Sequence, residues 1–242
     1  MAIIIIPARY ASTRFPAKPL AKIAGVSMVE RVYKQCEQAK GISKVIVATD
    51  HKSIKDEVQR FGGRIVMTSP KHPSGTDRIY EAATLARADE DAIIINVQGD
   101  EPLIDPAVIT ALAKMMEKDE SIQVGTPVSL LINDEEFANP NVVKVVMDAK
   151  MNALYFSRAG IPFPREGRHA KLYKHIGVYA YRMTALKRFT ELKESPLERT
   201  ERLEQLRFLE HGIGIRCVEV KYESIAVDVP EDVARVEQRL KD

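Results

Sequence analysis

The stretch IIIIPARYASTRFPAKPL, residues 3–20, joins four consecutive isoleucines to a basic loop that contains three prolines. Consecutive β-branched residues favour a strand, and an apolar run without alternation is typical of a strand buried on both faces. Pro7 follows the run and predicts that the strand ends there in a loop. Residues 3–20 therefore predict the first strand of an α/β sheet and the loop at its carboxyl end.

Strands and helices alternate up to about residue 100. Ser27 and Glu30 form the pattern of a capping box, and the apolar positions that follow predict a helix that ends before Gly41. Further strands are predicted over residues 45–48, 65–67 and 93–97, with helices between them. Helical crossovers of this length imply a mostly parallel sheet covered on both faces. The fold class is therefore α/β and Rossmann-like.

Extended stretches separated by short intervals dominate residues 122–183. They span residues 123–131, 142–147, 153–156 and 175–181. Most of the intervals are too short for helical crossovers, so we expect an antiparallel, β-rich section within a single domain of 242 residues. The prediction ends with a helix around Leu203, Leu206 and Leu209, a strand over residues 215–220 and a final helix that bears Val233, Val236 and Leu240.

Composition excludes several classes of protein. Lys plus Arg number 36 against 34 Asp plus Glu, which is too balanced for binding to nucleic acid or a membrane surface by charge alone. No basic segment precedes the short isoleucine run, so neither a signal peptide nor a membrane span is predicted and we expect a cytoplasmic protein. Cys36 and Cys217 are expected to be reduced core residues. No Walker A pattern is present, and the Gly-x-Gly at Gly212 follows a helix, which disfavours P-loop and NAD-dependent enzymes.

The first loop places Arg9, Arg14 and Lys18 beside Ser12 and Thr13. Cations, hydroxyls and backbone N–H groups that leave a buried strand together suit a polyphosphate. The alternative is an ordinary solvated basic loop.

The loop HPSGTDR, residues 72–78, ends where the third helix is predicted to begin. Ser74 and Thr76 can therefore present oxygen and N–H groups from a helix N-terminus, with Arg78 one turn further on. A routine N-cap is the alternative for Ser74 or Thr76. The position of the loop at the carboxyl edge of the sheet favours ligand binding.

Two carboxylates follow short apolar strands far apart in the chain. Gln98 and Asp100 follow the fourth strand, and Gly99 between them permits close backbone approach. Asp228 follows Ile225, Ala226 and Val227. A carboxylate at a strand tip that faces a cationic loop suits a magnesium ion that also takes phosphate oxygens. The alternatives are a turn before Pro102 for Asp100 and a helix cap for Asp228.

The segments IPARYASTRFPAKPL, PSGTDR, VQGDEPLI, ALYFSRAGIPFPR, HIGVYAYR, LEQLRFLEHG and VDVPEDV resemble, in this order, the 3-deoxy-manno-octulosonate cytidylyltransferases, or CMP-Kdo synthetases. The resemblance covers nearly the whole chain, and the HIGVYAYR and LEQLR segments narrow it from the wider sugar nucleotidyltransferases. Ala17 departs from the family pattern, which usually has Gly before the lysine. This departure bears on the loop more than on the chemistry.

The resemblance implies a GT-A-like nucleotide-binding sheet, a homodimer joined through the β-rich section, CTP and Kdo as substrates, and Mg²⁺ as cofactor. The residues that it assigns to CTP are Ala8, Arg9, Ser12, Thr13, Arg14, Lys18, Ser74 and Gln98. Those that it assigns to Kdo are Arg78, Gln98, Arg158, His175, Tyr179, Glu204 and Gln205. Asp100 and Asp228 would hold the metal, and with Arg14 and Lys18 they form the implied catalytic set.

The implied reaction is in-line attack of the Kdo anomeric hydroxyl on the α-phosphorus of CTP, which releases pyrophosphate. The sugar carboxylate needs a cation, which we assign to Arg158 with help from His175. Apart from the resemblance, each residue assigned to Kdo also has an ordinary role, as a solvated charge, a sheet histidine or an exposed helix face. A cytidylyltransferase for a related acidic sugar and a nucleotide-binding regulator without turnover remain the alternatives.

Overall fold

The computed structural model describes residues 1–11, 15–72, 74–167, 169–223 and 225–241. Over these residues, ten strands form one sheet and two short strands form a hairpin. The strands are β1 (Ala2–Ala8), β2 (Lys22–Ile23), β3 (Val26–Ser27), β4 (Ile42–Thr49), β5 (Ile65–Met67), β6 (Ile93–Asn96), β7 (Val124–Leu130), β8 (Lys144–Met147), β9 (Ala153–Ser157), β10 (Tyr173–His175), β11 (Tyr179–Arg182) and β12 (Ile215–Glu219).

A 3₁₀ turn at Lys18–Leu20 and nine α-helices complete the described part of the chain. The helices are α1 (Met28–Glu37), α2 (Lys52–Arg60), α3 (Gly75–Leu85), α4 (Pro106–Lys118), α5 (Asp134–Ala138), α6 (Met183–Glu191), α7 (Pro196–Glu201), α8 (Gln205–Glu210) and α9 (Asp232–Arg239). None of these described helices has the length and apolar character needed to cross a membrane.

The parallel half of the sheet has the order β5-β4-β1-β6, with the isoleucine strand between β4 and β6. Ile4 and Ile6 pack into a core with residues of α1 and α4, whereas Ile3 and Ile5 pack into a second core with residues of α3. Side chains on a strand alternate between faces, so consecutive isoleucines supply both cores. The predicted α/β fold with a parallel sheet covered on both faces is confirmed.

The antiparallel half extends the same sheet. β11 pairs antiparallel with β6 and with the first part of β7, and β10 continues along β7 to β8 and β9. The section at residues 122–183 therefore shares one sheet with the parallel half. β12 returns to pair with β7 in the parallel sense, which the sequence pattern did not predict.

The predicted end of the first strand at Pro7 is wrong, because β1 continues to Ala8. Val97 N donates to Ile5 O, so the odd residues of β1 direct their backbone groups towards β6. The ladder with β6 ends at Ile5. Pro7, which lacks an N–H, therefore costs the sheet no hydrogen bond on that side.

Two other predictions differ from the structure: the capping box at the start of α1 and the single extended stretch over residues 175–181. The Ser27 side chain makes no cap hydrogen bond, because α1 begins directly after the β2–β3 hairpin and Glu30 pairs with Arg60 instead. The single stretch predicted over residues 175–181 is two strands, β10 and β11. Val178 N donates to Ile176 O in a tight turn that separates them.

The helices of the C-terminal half also differ from the prediction. The helix predicted around Leu203 is two helices, α7 and α8, because Arg202 takes the left-handed conformation with φ 55°. A left-handed residue ends an α-helix. α5 and α6 were not predicted.

Candidate active site

A cavity of about 920 Å³ opens at the carboxyl ends of β1 and β6. Residues from the first loop, the start of α3, β9 to β11 and the turn between α7 and α8 form its walls. The predicted site residues that line it are Ala8, Arg9, Lys18, Ser74, Gln98, Asp100, Arg158, His175, Tyr179, Glu204 and Gln205. Ser12, Thr13 and Arg14 lie outside the described residues.

Lys18 connects the two carboxylates, Asp100 and Asp228, that the sequence placed after short strands. The strand predicted over residues 225–227 is wrong, because that segment is irregular in the structure. The Lys18 Nζ lies 2.8 Å from Asp100 Oδ2 and 3.7 Å from Asp228 Oδ1, and it also donates to Val227 O at 2.9 Å. Val227 N donates to Asp100 O at 2.9 Å, which fixes the two segments to each other. The acids are therefore neighbours although 128 positions separate them in sequence, since 228 minus 100 is 128.

The two acids fit a divalent cation that shares its coordination with phosphate. Over the described residues, no cluster of three or more His, Cys, Asp or Glu side chains is arranged to hold a metal ion. Mg²⁺, however, uses one or two carboxylates and completes its shell with phosphate oxygens and water. Asp100 is 28% exposed and Asp228 is 49% exposed, so both remain open to such a ligand.

Ala17, which precedes Lys18, has φ 55° in the left-handed region. An L-residue there costs about 1–2 kcal/mol, whereas glycine adopts this conformation freely. This strain gives a physical reason for a preference for glycine before the lysine.

We therefore expect Ala17→Gly to raise the free energy of unfolding in urea by up to about 1 kcal/mol. Ala21→Gly is the matched control, because Ala21 has φ −57° and gains nothing from glycine. The control should lose stability through the larger entropy of its unfolded chain. Equal losses at both positions would contradict the strain at Ala17.

Ser74 both caps a helix and faces the cavity. Its Oγ accepts from Asp77 N at 3.2 Å and donates to Asp77 Oδ2 at 2.6 Å. The cap alternative considered for Ser74 is therefore present, together with a place in the cavity wall. Gly99 lies on the same edge, and a Cβ there would lie 2.9 Å from Pro7 O, so only glycine lets β1 and the loop after β6 approach this closely.

Polar groups without hydrogen-bond partners among the described residues lie in the cavity wall that β10, β11 and the start of α8 form. The Tyr179 hydroxyl and the Gln205 Nε2 are buried and unpartnered. Thr76 Oγ1 donates to Glu204 Oε2 at 2.7 Å, and desolvation raises the pKa of the Glu204 carboxyl. Buried polar groups usually find partners, so this wall is suited to a ligand rich in hydroxyl groups.

His175 is a neutral hydrogen-bonding group in this wall. Burial beside Phe156 and Tyr179 lowers the pKa of His175 to about 3. Thr126 Oγ1 donates its single hydrogen to Val178 O, so it accepts from His175 Nε2–H at 3.1 Å. Nδ1 is left as an acceptor. A neutral His175 can help Arg158 with a carboxylate only as a hydrogen-bonding group, and its assignment to the sugar stays a prediction.

This pKa predicts how stability changes with pH. An unfolded histidine titrates near about 6.5. Between about pH 6.5 and 3 the unfolded chain therefore binds a proton that folded His175 does not. The stability from neutral His175 is complete above about 6.5 and is lost as the pH falls towards 3. We expect His175→Asn to flatten the fall of Tm over this range, whereas His169→Gln, at an exposed histidine, should leave it unchanged. An unchanged slope in His175→Asn would refute the lowered pKa.

Arg78 does not line the cavity, contrary to the expectation that it contacts the sugar. It is buried in the core, where its guanidinium donates to Asp50 Oδ2 at 2.6 Å and to Thr68 Oγ1 at 2.7 Å. Asp50 follows β4 and Thr68 follows β5. The arginine therefore ties α3 to two strand ends below the cavity.

The sequence analysis did not single out several residues that do line the cavity. They are Asn96, Tyr181, Phe189, Arg202 and Phe208. Tyr181 lies in the HIGVYAYR segment, two positions after Tyr179 on β11, and the two rings stack on one face of the sheet. No sequence signal marked Phe189, since α6 itself was not predicted.

Known proteins resemble this chain over its whole length. A family model described as cytidylyltransferase matches residues 3–221. A 3-deoxy-manno-octulosonate cytidylyltransferase of Syntrophotalea carbinolica is 51% identical over 98% of this chain and 97% of its own. An 8-amino-3,8-dideoxy-manno-octulosonate cytidylyltransferase of Shewanella sp. strain ANA-3 is 46% identical over 98% and 97%. The solved structure of a CMP:2-keto-3-deoxy-manno-octonic acid synthetase complexed with CTP is 42% identical, covers 99% of this chain and 98% of its own, and has a TM-score of 0.94.

Proposed function

The chain belongs to the 3-deoxy-manno-octulosonate cytidylyltransferases, a family of nucleotidyltransferases, and on this premise we propose that it transfers CMP from CTP to Kdo, with release of pyrophosphate. The observation that carries the proposal is that a single cavity unites Lys18 and Asp100, beside Asp228, with Arg158 and unpartnered hydroxyl and amide groups. The first group suits a metal-bound triphosphate, and the second suits an acidic sugar.

The chemistry is a displacement at phosphorus. The anomeric oxygen of Kdo forms a bond to the α-phosphorus, and the hydroxyl proton leaves to solvent. The bond from the α-phosphorus to the oxygen that joins it to the β-phosphorus breaks, and that oxygen leaves as part of pyrophosphate. Such a transfer chiefly requires alignment and neutralisation of charge. Lys18 supplies a positive charge beside the phosphates, and Gly99 lets the chain come close to them.

Asp100 and Asp228 would hold Mg²⁺. When it is bound, the ion polarises phosphate oxygens and lowers the pKa of the attacking hydroxyl. The Lys18 ammonium lies between the two acids in this structure. Because it is carried on a flexible four-carbon stem, we expect it to turn from the acids to the triphosphate when the metal binds. The first loop positions it for that contact.

Pyrophosphate release from purified protein tests the proposal. CTP plus Kdo should release one pyrophosphate per Kdo consumed, and omission of either substrate should stop the release. UTP in place of CTP tests the base, and 8-amino-3,8-dideoxy-manno-octulosonate in place of Kdo tests the alternative that the Shewanella relative suggests. If the enzyme prefers the amino sugar, that sugar and not Kdo is its substrate. CTP binding without pyrophosphate release would favour a nucleotide-binding regulator without turnover.

Arg158 is the proposed partner of the sugar carboxylate. Arg158→Ala should raise the KM for Kdo by about tenfold or more and leave the KM for CTP within about twofold, because charge-assisted hydrogen bonds are worth about 1.5–3 kcal/mol. Arg199→Ala, at an exposed arginine on α7, should change neither. Equal increases in both KM values would remove Arg158 from the sugar site.

We also propose a cytoplasmic homodimer that joins through residues 122–183. Exposed apolar side chains in that section, Leu130, Ile132, Leu154 and Phe163, support an interface between copies. Two buried, free cysteines, Cys36 and Cys217, support a reducing compartment. Sedimentation equilibrium tests the dimer, and a monomer at micromolar concentration would contradict it.

A further inference from the structure

The Arg158 side chain is held by backbone carbonyls. Its Nε donates to Glu201 O at 2.7 Å and its Nη1 to Pro140 O at 3.0 Å, with a longer contact from Nη2 to Arg202 O at 3.4 Å. Among the described residues, no carboxylate forms an ion pair with this guanidinium. Carbonyl dipoles orient an arginine without neutralising it, so Arg158 remains a positive charge in the wall of the cavity that it lines.

Lys144 fixes the chain around two of these contacts. It is fully buried on β8, and its ammonium donates to Asn139 O at 2.8 Å, Val142 O at 2.5 Å and Arg158 O at 2.7 Å. A lysine has three N–H donors, and each has an acceptor here. Two of the acceptors flank Pro140, which receives Arg158 Nη1, and the third is the backbone of Arg158 itself. The Lys144 ammonium therefore fixes the backbone on both sides of the hydrogen bond from Arg158 Nη1 to Pro140 O.

Glu201 fixes the chain on the other side. Its Oε1 accepts from Ser157 Oγ at 2.6 Å and its Oε2 accepts from Arg158 N at 2.9 Å. Its own carbonyl accepts from Arg158 Nε. Glu201 is the last residue of α7, so it ties the end of β9 to the turn that leads into Glu204 and Gln205.

Burial of the Lys144 ammonium costs free energy, because the charge is removed from water. Desolvation lowers the pKa of the Lys144 ammonium, and the negative charge of Glu201 opposes this shift. Replacing a buried polar network with apolar groups is often neutral or stabilising in a protein. Stability alone therefore does not explain a lysine buried in the sheet. The orientation that Lys144 gives to the chain around Arg158 explains it better.

We propose that Lys144 and Glu201 are positioning residues that orient Arg158 towards the acidic group of the sugar. The inference rests on the proposed function, since it assigns that acidic group to Arg158. It adds two residues that do not line the cavity and whose hydrogen bonds hold the arginine. Their loss should therefore affect the sugar and leave the nucleotide unaffected.

Steady-state kinetics of Glu201→Gln and Lys144→Met test this proposal. Each variant should raise the KM for Kdo by about tenfold, with the KM for CTP within about twofold of wild type. Glu201→Gln keeps the shape and one carbonyl acceptor, so it remains informative if Lys144→Met does not fold. Lys174→Met is the matched control, because Lys174 lies on the adjacent strand β10, pairs with Glu136 of α5 and does not line the cavity.

The double variant Arg158→Ala/Glu201→Gln separates positioning from general damage. Glu201 acts through Arg158, so the second substitution should add less than about twofold to the KM for Kdo. A full additional increase, or equal changes in both KM values, would overturn the positioning role. If the wild-type enzyme turns over Kdo and both variants keep the wild-type KM for Kdo, this inference is overturned and the proposed function stands. Absence of Kdo-dependent turnover in the wild type would overturn the proposed function and this inference with it.

Discussion

Lys18→Ala should lower kcat/KM for CTP by a factor of about 100 to 1,000, which corresponds to roughly 3 kcal/mol of transition-state stabilisation. Lys18 lies in the cavity wall, 17% exposed, and its ammonium is held by Asp100 and Val227 O at the place proposed for the triphosphate. Once it has turned from the acids to the phosphates, its positive charge stabilises the negative charge that develops as the leaving group separates. Pyrophosphate release over a range of CTP concentrations at saturating Kdo measures the effect.

Lys22→Ala is the control for this variant. Lys22 lies four positions later, is 52% exposed and pairs with Glu57 outside the cavity. An exposed ion pair contributes little, so its removal should leave turnover near the wild-type value. A loss of less than about threefold in Lys18→Ala would mean that Lys18 serves only as a counter-ion for the acids and does not act on the phosphates.

Asp100→Asn and Asp228→Asn should each nearly abolish pyrophosphate release, and the double variant should be little worse than either single variant. The two acids share one ammonium and a backbone hydrogen bond from Val227 N to Asp100 O, so they form one unit. Each variant should retain its folded structure, because the remaining acid still pairs with Lys18. Thermal unfolding checks this point.

Metal binding gives a second measurement for the same pair. With CTP present, Mn²⁺ binding followed by water-proton relaxation should weaken by about tenfold or more in each Asn variant, since a carboxylate ligand is lost. Glu231→Gln, three positions after Asp228, is the control because the Glu231 side chain makes no cap hydrogen bond. Near-normal turnover and unchanged Mn²⁺ binding in either Asn variant would mean that the substituted acid is not a metal ligand and serves only in a turn or as a helix cap.

The sequence predicted best what depends on local pattern and on sheet geometry. Consecutive isoleucines supply both faces of β1, and the loops after β1 and β6 meet at one edge of the sheet, as expected. The same reasoning placed Lys18 beside Asp100. No side-chain detail was needed for these predictions. Asp228 also converges on Asp100, but the strand predicted before it is absent, and the hydrogen bond from Val227 N to Asp100 O joins the two segments instead.

Side-chain direction and protonation depend on distant packing that no local pattern contains. Arg78 turns to Asp50 and Thr68 below the cavity, although it lies one turn into a helix that borders it. The pKa of His175 is lowered by aromatic rings that two other segments bring to it. For the same reason the roles of Lys144 and Glu201 were invisible in sequence.

The broken helix before the cavity has a similar explanation. Leu203 fits an apolar helical pattern with Leu206, but Ser195 and Glu198 form a capping box that starts α7 early. Glu198 then pairs with Arg207 of α8, which stabilises the two helices on either side of the turn. The turn presents Glu204 and Gln205 to the cavity, so the sequence pattern missed the break that shapes the sugar wall.

The fate of the anomeric oxygen tests the central claim most directly. Kdo labelled with ¹⁸O at its anomeric hydroxyl is incubated with CTP and the enzyme, and the products are followed by ³¹P NMR. Attack of that hydroxyl on the α-phosphorus predicts an isotope shift on the phosphodiester resonance of CMP-Kdo, with the label in the bridge and unlabelled pyrophosphate. CMP-Kdo without the label, label in pyrophosphate, or no CMP-Kdo at all would contradict the account.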